Sequence, residues 1–168
     1  PNAISPVAVT VYRFEKAAGV KLRYVPFGGG GAALVGLMGG HVDVAMGNPG
    51  EVTEMVKANK VKILGVLTEK RLPFAAMRDV PTVKEQGIDA VGLGMYRGIV
   101  AAGDIPADAR KVLEGAFAKF SKTPEYKKFH DDNMIGDGWL DGAAFGKYLD
   151  EKNEAYRVAL KAMGVKIK

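Results

Sequence analysis

The stretch 23-RYVPFGGGGAALVGLMGGHVDVAMGNPG-50 decides the fold of this chain. It predicts a strand at residues 22–27, a glycine loop at 28–31, a short helix at 32–38 and a second strand at 42–46. Four consecutive glycines allow positive φ angles and a close approach of the backbone to another group. Because the following helix directs its free N–H groups and positive dipole end at the loop, the pattern predicts an anion-binding turn.

Two other interpretations of this loop stay open. Gly28-x-Gly30-x-x-Ala33 satisfies a loose form of the dinucleotide-binding fingerprint, but the helix has only about two turns and no acidic residue ends the next strand. The loop could also be a tightly packed turn without a ligand. Contact with an anion or ligand is favoured over the packed turn.

The flanking segments extend the same α/β pattern. Ser5 and Pro6 predict the N-cap and first position of a helix that Gly19 ends. Four apolar residues in this helix predict one buried stripe: Val7, Val11, Phe14 and Ala18. A helix at residues 51–59 and a strand at 61–68 follow. Alternation of helices and strands predicts an α/β unit with a largely parallel sheet.

The second half of the chain has a different composition. A long strand at residues 89–101 is predicted to connect two lobes, and helices are predicted at 106–121, 124–131 and 143–163. The sequence therefore predicts an α/β lobe followed by helices that pack elsewhere. Such helices would expose apolar surface, so a dimer or a swapped assembly is expected.

Composition excludes several function classes. The 168 residues carry 24 basic and 19 acidic side chains, a net charge of +5 without the basic runs that bind nucleic acid. There are no cysteines, and the only histidines, His41 and His130, have no partner at metal-ligand spacing. No group of residues supplies an acid, a base and an oxyanion donor together. Neither catalysis, a metal site nor a cofactor is expected.

Arg97 is unusual because it lies in a predicted strand among apolar or small neighbours, Gly-Met-Tyr-Arg-Gly-Ile-Val. Its guanidinium could face a carboxylate in a cleft. An exposed position, or a pair with an acidic residue of the fold, would also explain it.

Four motifs together resemble the tripartite tricarboxylate transporter substrate-binding proteins, the Bug receptors. They are VPFGGGGAALVGLMGGHVDVAMGN (25–48), KILGVLTEKR (62–71), DVPTVKEQG (79–87) and MYRGIVAAGDIP (95–106). The resemblance implies part of a two-lobed type II periplasmic binding protein without enzymatic activity. Such receptors capture small organic acids, tricarboxylates or dicarboxylates such as citrate, and deliver them to membrane permease subunits.

The resemblance also implies how the chain is divided. Residues 1–95 would form the α/β second lobe, and residues 96–168 would supply a crossover strand and the C-terminal helices of the first lobe. The N-terminal part of that first lobe has no counterpart here. The sequence begins at Pro1 and contains no signal peptide pattern, so a processed chain or a fragment is expected, with a periplasmic location.

The same resemblance implies a set of ligand-binding residues: Ser5, Gly28, Gly29, Gly30, Asn48, Tyr96 and Arg97. The family's aspartate before the asparagine is Gly47 here, so no acid is expected beside Asn48 to meet an ammonium group. A pure polycarboxylate is therefore the expected ligand. The alternatives are a nucleotide-binding oxidoreductase subunit that uses the glycine loop, and a helical interaction protein without a ligand.

Overall fold

The computed structural model describes residues 5–167 of the chain. This part of the protein contains six helices: α1 (Pro6–Ala18), α2 (Gly30–Met38), α3 (Pro49–Lys57), α4 (Ala107–Phe120), α5 (Pro124–Asp132) and α6 (Gly142–Ala162). All six agree with the predicted helices to within about two residues at each end.

Helix α1 begins and ends at the residues that the sequence indicates. The Ser5 hydroxyl accepts a hydrogen bond from the Ala8 N–H at 3.1 Å, and Pro6 occupies the first helical position. Gly19 ends the helix in the left-handed conformation with φ 66°, where a side chain would be strained. The predicted buried stripe is wrong at Val7, which is 43% exposed, because the helix turns Ala8 and Val9 into the core instead.

The predicted strands do not form a sheet within the described residues. Segments 22–27, 42–46 and 89–101 are irregular and lie in no paired strand, and segment 61–68 contributes a single parallel bridge, between Val66 and Thr82. A strand needs hydrogen bonds from a neighbouring segment, and an apolar, β-branched sequence does not supply that neighbour. These segments expose apolar side chains, with Leu64, Ile99 and Val100 at 63%, 69% and 85%.

The Val66–Thr82 bridge is followed by a turn in which Thr82 and Glu85 exchange two hydrogen bonds. The Thr82 N–H donates to Glu85 Oε2 at 2.7 Å, and the Glu85 N–H donates to Thr82 Oγ1 at 3.0 Å. Arg71 Nε lies 3.0 Å from Glu85 Oε1. The Thr82 N–H, together with the Arg71 guanidinium, lowers the pKa of the Glu85 carboxyl below its usual value.

The chain divides into two compact units. One unit combines the described residues up to Gly94 with those from Ala155 onward, and the other is Met95–Glu154, so α6 contributes to both. The first unit contains the buried apolar side chains Ala8, Val9, Leu34, Met77, Val83 and Ala90. Within it, the Tyr12 hydroxyl donates to the Ala162 carbonyl at 2.8 Å, which ties α1 to the end of α6.

The second unit is held by aromatic contacts. Tyr96 meets Phe145 and Tyr148 edge to face, with ring centroids 6.0 and 5.8 Å apart. Tyr126 lies edge to face with Phe120 and packs on His130 with ring centroids 4.1 Å apart. Helices α4 and α5 have no fully buried side chain among the described residues. None of the six helices combines the length and the apolar character that crossing a membrane requires.

Gly36 provides a test of packing in the first unit. It is buried in α2, and a Cβ atom there would lie 2.6 Å from Cζ of Phe27. Gly36→Ala is expected to lower the free energy of unfolding by about 1–2 kcal/mol, because overpacking exceeds the gain in helix propensity. Urea unfolding followed by circular dichroism measures the change.

Gly115→Ala is the matched control, because the same methyl group in α4 would contact nothing within 4 Å. It is expected to stabilise the protein by about 0.5–1 kcal/mol. Equal effects of the two substitutions would contradict the packing of Phe27 against Gly36.

Candidate functional site

The glycine loop leads directly into the N-terminus of α2. Its first helical hydrogen bond runs from the Ala33 N–H to the Gly29 carbonyl at 3.1 Å. The N–H groups of Gly30, Gly31 and Ala32 precede this bond and cannot be satisfied within the helix. Gly28 and Gly29 are exposed, and a side chain at either position would meet nothing within 4 Å. The loop therefore presents open backbone and free donors, as an anion-binding turn requires.

The expectation that these glycines use positive φ is wrong. None of residues 28–31 lies in the left-handed region, and Gly29, at φ 169°, is extended. Gly30 instead lies close to the end of the Glu51 side chain, whose exposed carboxylate would have to shift to admit a Cβ at position 30.

Glu51 connects the glycine loop to the start of α3. Its Oε2 accepts the backbone N–H of Asn48 at 3.1 Å, and its Oε1 accepts Asn48 Nδ2 at 3.0 Å. Asn48 is the N-cap of α3, and the return of Glu51 to its N–H is the capping-box arrangement. A carboxylate from the first turn of α3 thus lies against the N-terminus of α2.

Glu51 was missed as a site residue on the sequence, although the pattern Asn48-x-x-Glu51 signals a capping box. Its Oε2 lies 3.7 Å from where a Cβ at Gly47 would be. The expectation that no acid lies beside Asn48 and Gly47 is therefore wrong. The sequence pattern indicates that a helix starts here. The closeness of the Glu51 carboxylate to the glycine loop depends instead on how α2 packs against α3.

Ser5 has local hydrogen-bond partners. Besides capping α1, its hydroxyl lies 3.3 Å from the hydroxyl of Tyr24. Among the predicted ligand residues of the first unit, the structure brings Gly30 and Asn48 together through Glu51. Ser5 is instead linked to Tyr24, in the segment that leads to the glycine loop.

Tyr96 and Arg97 belong to the second unit. Tyr96 is 46% exposed and lies edge to face against both Phe145 and Tyr148, whose rings stack on each other. A side chain at Gly98 would collide with the ring of Phe145, so the chain passes closely over α6. Arg97 is exposed and makes no ion pair with any acidic residue in 5–167. Its guanidinium is free to receive a carboxylate.

The donor set defines what this arrangement can do chemically. In the first unit, the backbone N–H groups and the Asn48 amide are groups that recognise carboxylate oxygens, and in the second unit the Arg97 guanidinium is another. Across residues 5–167, no group of three His, Cys, Asp or Glu side chains is placed to hold a metal ion. Taken separately, the donors of each unit are chemically suited to the oxygen atoms of an anion.

A groove of about 560 Å³ lies elsewhere in the first unit. It contains none of the predicted ligand residues. Apolar side chains, one asparagine and two lysines line it: Val56, Asn59, Lys60, Val61, Lys62, Ile63, Ala76 and Val80.

Comparison with known proteins defines the class. The structure resembles that of a TctC solute-binding protein from Polaromonas, solved without ligand, with a TM-score of 0.66 and 28% sequence identity. The match covers 92% of this chain and 52% of that chain. The fold is thus part of a two-lobed solute-binding protein, as predicted, although the sheet of the α/β lobe is not confirmed.

The sequence places the chain within a family. Residues 3–164 match the Tripartite tricarboxylate transporter family receptor, TctC. The chain belongs to this family, which confirms the resemblance. The family description is that of a receptor, which is consistent with a protein that is not an enzyme, and the match does not support the oxidoreductase alternative.

Two curated relatives are UPF0065 proteins. The one from the TAR-I ttuE-ttuC' intergenic region of Agrobacterium vitis is 34% identical over 110 residues, 66% of this chain and 31% of the relative. The one from the gbd 5' region of Cupriavidus necator is 28% identical over 128 residues, 76% of this chain and 38% of the relative. The chain spans about a third of the length of each relative.

The contact between Gly30 and Glu51 can be tested by substitution. In Gly30→Ala the new methyl group displaces the Glu51 carboxylate, so the Asn48 N–H loses its acceptor. The backbone N–H resonance of Asn48 is expected to shift. In the Gly30→Ala background, Glu51→Ala should then cause no further loss of unfolding free energy. In the wild-type chain Glu51→Ala should cost about 0.5–1 kcal/mol of capping energy.

Gly31→Ala is the control, because a Cβ at that position meets nothing within 4 Å. NMR of the labelled chain and urea unfolding of the double-mutant cycle provide the two measurements. Additive effects of Gly30→Ala and Glu51→Ala would contradict the contact.

Proposed function

We propose that this chain is part of a periplasmic solute-binding receptor that captures a small tricarboxylate or dicarboxylate, such as citrate, for a tripartite membrane transporter. The observation that carries the proposal is the family match over residues 3–164. Its partners would be the ligand and the membrane permease subunits. Nucleic acid is not among them, since the net charge of +5 is spread along the chain.

The proposed site combines helix N-termini with one guanidinium. Carboxylate oxygens would accept hydrogen bonds from the α2 N-terminus at Gly28, Gly29 and Gly30, with Ser5 and Asn48 as short polar neighbours. Arg97 would hold a second carboxylate, beside the ring of Tyr96. Support comes from the free N–H groups that open α2 and from the exposed guanidinium of Arg97 without an ion pair in residues 5–167.

The lobe assignment is also a proposal. Residues 1–95 would belong to the second lobe, and residues 96–168 would supply a crossover strand and the C-terminal helices of the first. In the receptor, the extended segments would pair into the parallel-type sheet. Their exposed apolar side chains, such as Leu64 and Val100, support this pairing. Association with a second copy of the chain is a further consequence of this exposure that stays a prediction.

A thermal-shift series tests the function. Citrate and succinate are expected to raise the unfolding temperature of the full-length receptor that contains this sequence, because a ligand that binds only the folded state stabilises it. Glycerol, a neutral polyol, is the control. Absence of any stabilisation by carboxylic acids at millimolar concentration would overturn the proposal.

Arg97 provides the test of the ligand's charge. A charge-assisted pair between its guanidinium and a carboxylate contributes about 1.5–3 kcal/mol. Arg97→Ala is therefore expected to weaken citrate binding roughly ten- to a hundredfold. Arg97→Lys should recover only part of the affinity, because an ammonium lacks the planar two-pronged geometry.

Calorimetry with citrate and with the monocarboxylate acetate provides the measurement. A loss of affinity for citrate without a loss for acetate would identify Arg97 as the residue that selects the multiply charged acid. Unchanged affinity for both acids after Arg97→Ala would assign Arg97 to the exposed surface instead.

A further inference from the structure

The groove in the first unit adjoins a smaller recess. The groove measures about 560 Å³ and the recess about 210 Å³, and three side chains line both: Val56, Ile63 and Ala76. Val80 adds to the groove, and the buried Met77 adds to the recess. Among the described lining residues of both cavities, none belongs to the proposed carboxylate site. The groove has the size of a small-molecule site, and its lining is mainly apolar.

The two polar side chains described in the recess already have partners. The hydroxyl of the buried Thr53 donates to the Pro49 carbonyl at 2.8 Å, and Lys57 Nζ lies 2.7 Å from Glu54 Oε1. The other described lining is apolar, so a polar or charged group would lose its water there without compensation. A hydrocarbon chain avoids this penalty and gains free energy with each methylene that leaves water.

Two lysines of the groove carry charge that the fold does not neutralise. Lys60 and Lys62 line the groove and are exposed, and neither forms an ion pair with an acidic side chain of residues 5–167. No acidic residue is among the described residues that line the groove. Two ammonium groups beside an apolar surface are complementary to an anion that carries an apolar tail.

The turn after α3 fixes the backbone of the first lysine. The Lys60 N–H donates to the Met55 carbonyl and the Asn59 N–H donates to the Val56 carbonyl, both at 2.9 Å. Backbone donors thus satisfy these two carbonyls at the end of the helix. The Lys60 ammonium is not needed to cap them, so its charge is available to an anion in the groove.

We propose that the groove binds a medium-chain alkyl carboxylate, with the hydrocarbon tail against Val56, Ile63 and Ala76 and the carboxylate beside Lys60 and Lys62. The tail supplies most of the affinity, since its methylenes leave water. The two exposed ammonium groups select an anionic head over a neutral one. This inference goes beyond the proposed function, because it assigns a second class of ligand to residues that the carboxylate site does not use.

Chain length provides the first test. Calorimetry of the full-length receptor that contains this sequence measures the affinities for sodium hexanoate, octanoate and decanoate. Decanoate is expected to bind roughly ten- to a hundredfold more tightly than hexanoate, because each partly buried methylene contributes about two- to threefold. The titrations are repeated with saturating citrate. Citrate has no tail for the groove, so the octanoate affinity should not change.

Filling the groove provides the second test. Ala76 is exposed and lines both cavities, so the indole of Ala76→Trp should occupy the space of the tail and weaken octanoate binding at least about tenfold. Ala75→Trp is the matched control. Ala75 is the exposed neighbour in the same turn and is not among the residues that line either cavity. It should bind octanoate as the wild-type receptor does.

The lysines provide a third test that leaves the apolar lining intact. Lys60→Gln/Lys62→Gln should weaken octanoate binding about two- to tenfold at low salt, and the loss should shrink as sodium chloride is raised. The neutral analogue 1-octanol should bind this variant and the wild-type receptor equally. Lys111→Gln/Lys122→Gln is the control for net charge. These two lysines are exposed in the second unit and make no ion pair with an acidic side chain in the described part of the chain.

Tighter binding of longer acids, with losses in Ala76→Trp and in the Lys60/Lys62 variant but not in their controls, supports the inference. Equal octanoate affinities of Ala76→Trp and Ala75→Trp overturn it, as does displacement of octanoate by citrate. An unchanged octanoate affinity of the Lys60/Lys62 variant, or no binding of decanoate at millimolar concentration, also overturns it. Sedimentation identifies another occupant: a wild-type dimer that Ala76→Trp dissociates would assign the groove to a second copy and overturn the inference.

Discussion

Backbone hydrogen bonding is the constraint on which the rest of this structure depends. Each helix satisfies its N–H and C=O groups within its own segment, apart from the first and last turn. An extended segment has to find its partners elsewhere. In residues 5–167 this division is visible as six helices and a single parallel bridge, between Val66 and Thr82. The unpaired segments, and the apolar side chains that they expose, follow from it.

The unsatisfied ends of helices also create the candidate site. The N-terminus of α2 has donors that the helix cannot use, and the nearest anion is the carboxylate of Glu51 from the first turn of α3. The same carboxylate caps α3 through the Asn48 N–H. One acidic side chain therefore caps the start of α3 and lies against the start of α2.

The family match relates these local features to the proposed function. Under the proposed function the ligand would be held by donors of two kinds, backbone N–H groups in one unit and the Arg97 guanidinium in the other. Tyr96 beside Arg97 is positioned by the rings of Phe145 and Tyr148. Arg97 itself is exposed and has no ion pair in the part of the chain that is described. The binding role of both residues stays a prediction.

The sequence by itself determined the helices, their caps at Ser5 and Gly19, the place of the glycine loop and the family. These depend on residues within a few positions of one another or on motifs in a fixed order. The tertiary structure alone decided that Val7 is exposed, that the predicted strands lack partners and that Glu51 lies against Gly30. Helical hydrogen bonds reach only four residues along the chain, whereas strand pairing and the approach of a carboxylate to a distant glycine depend on how separate segments pack.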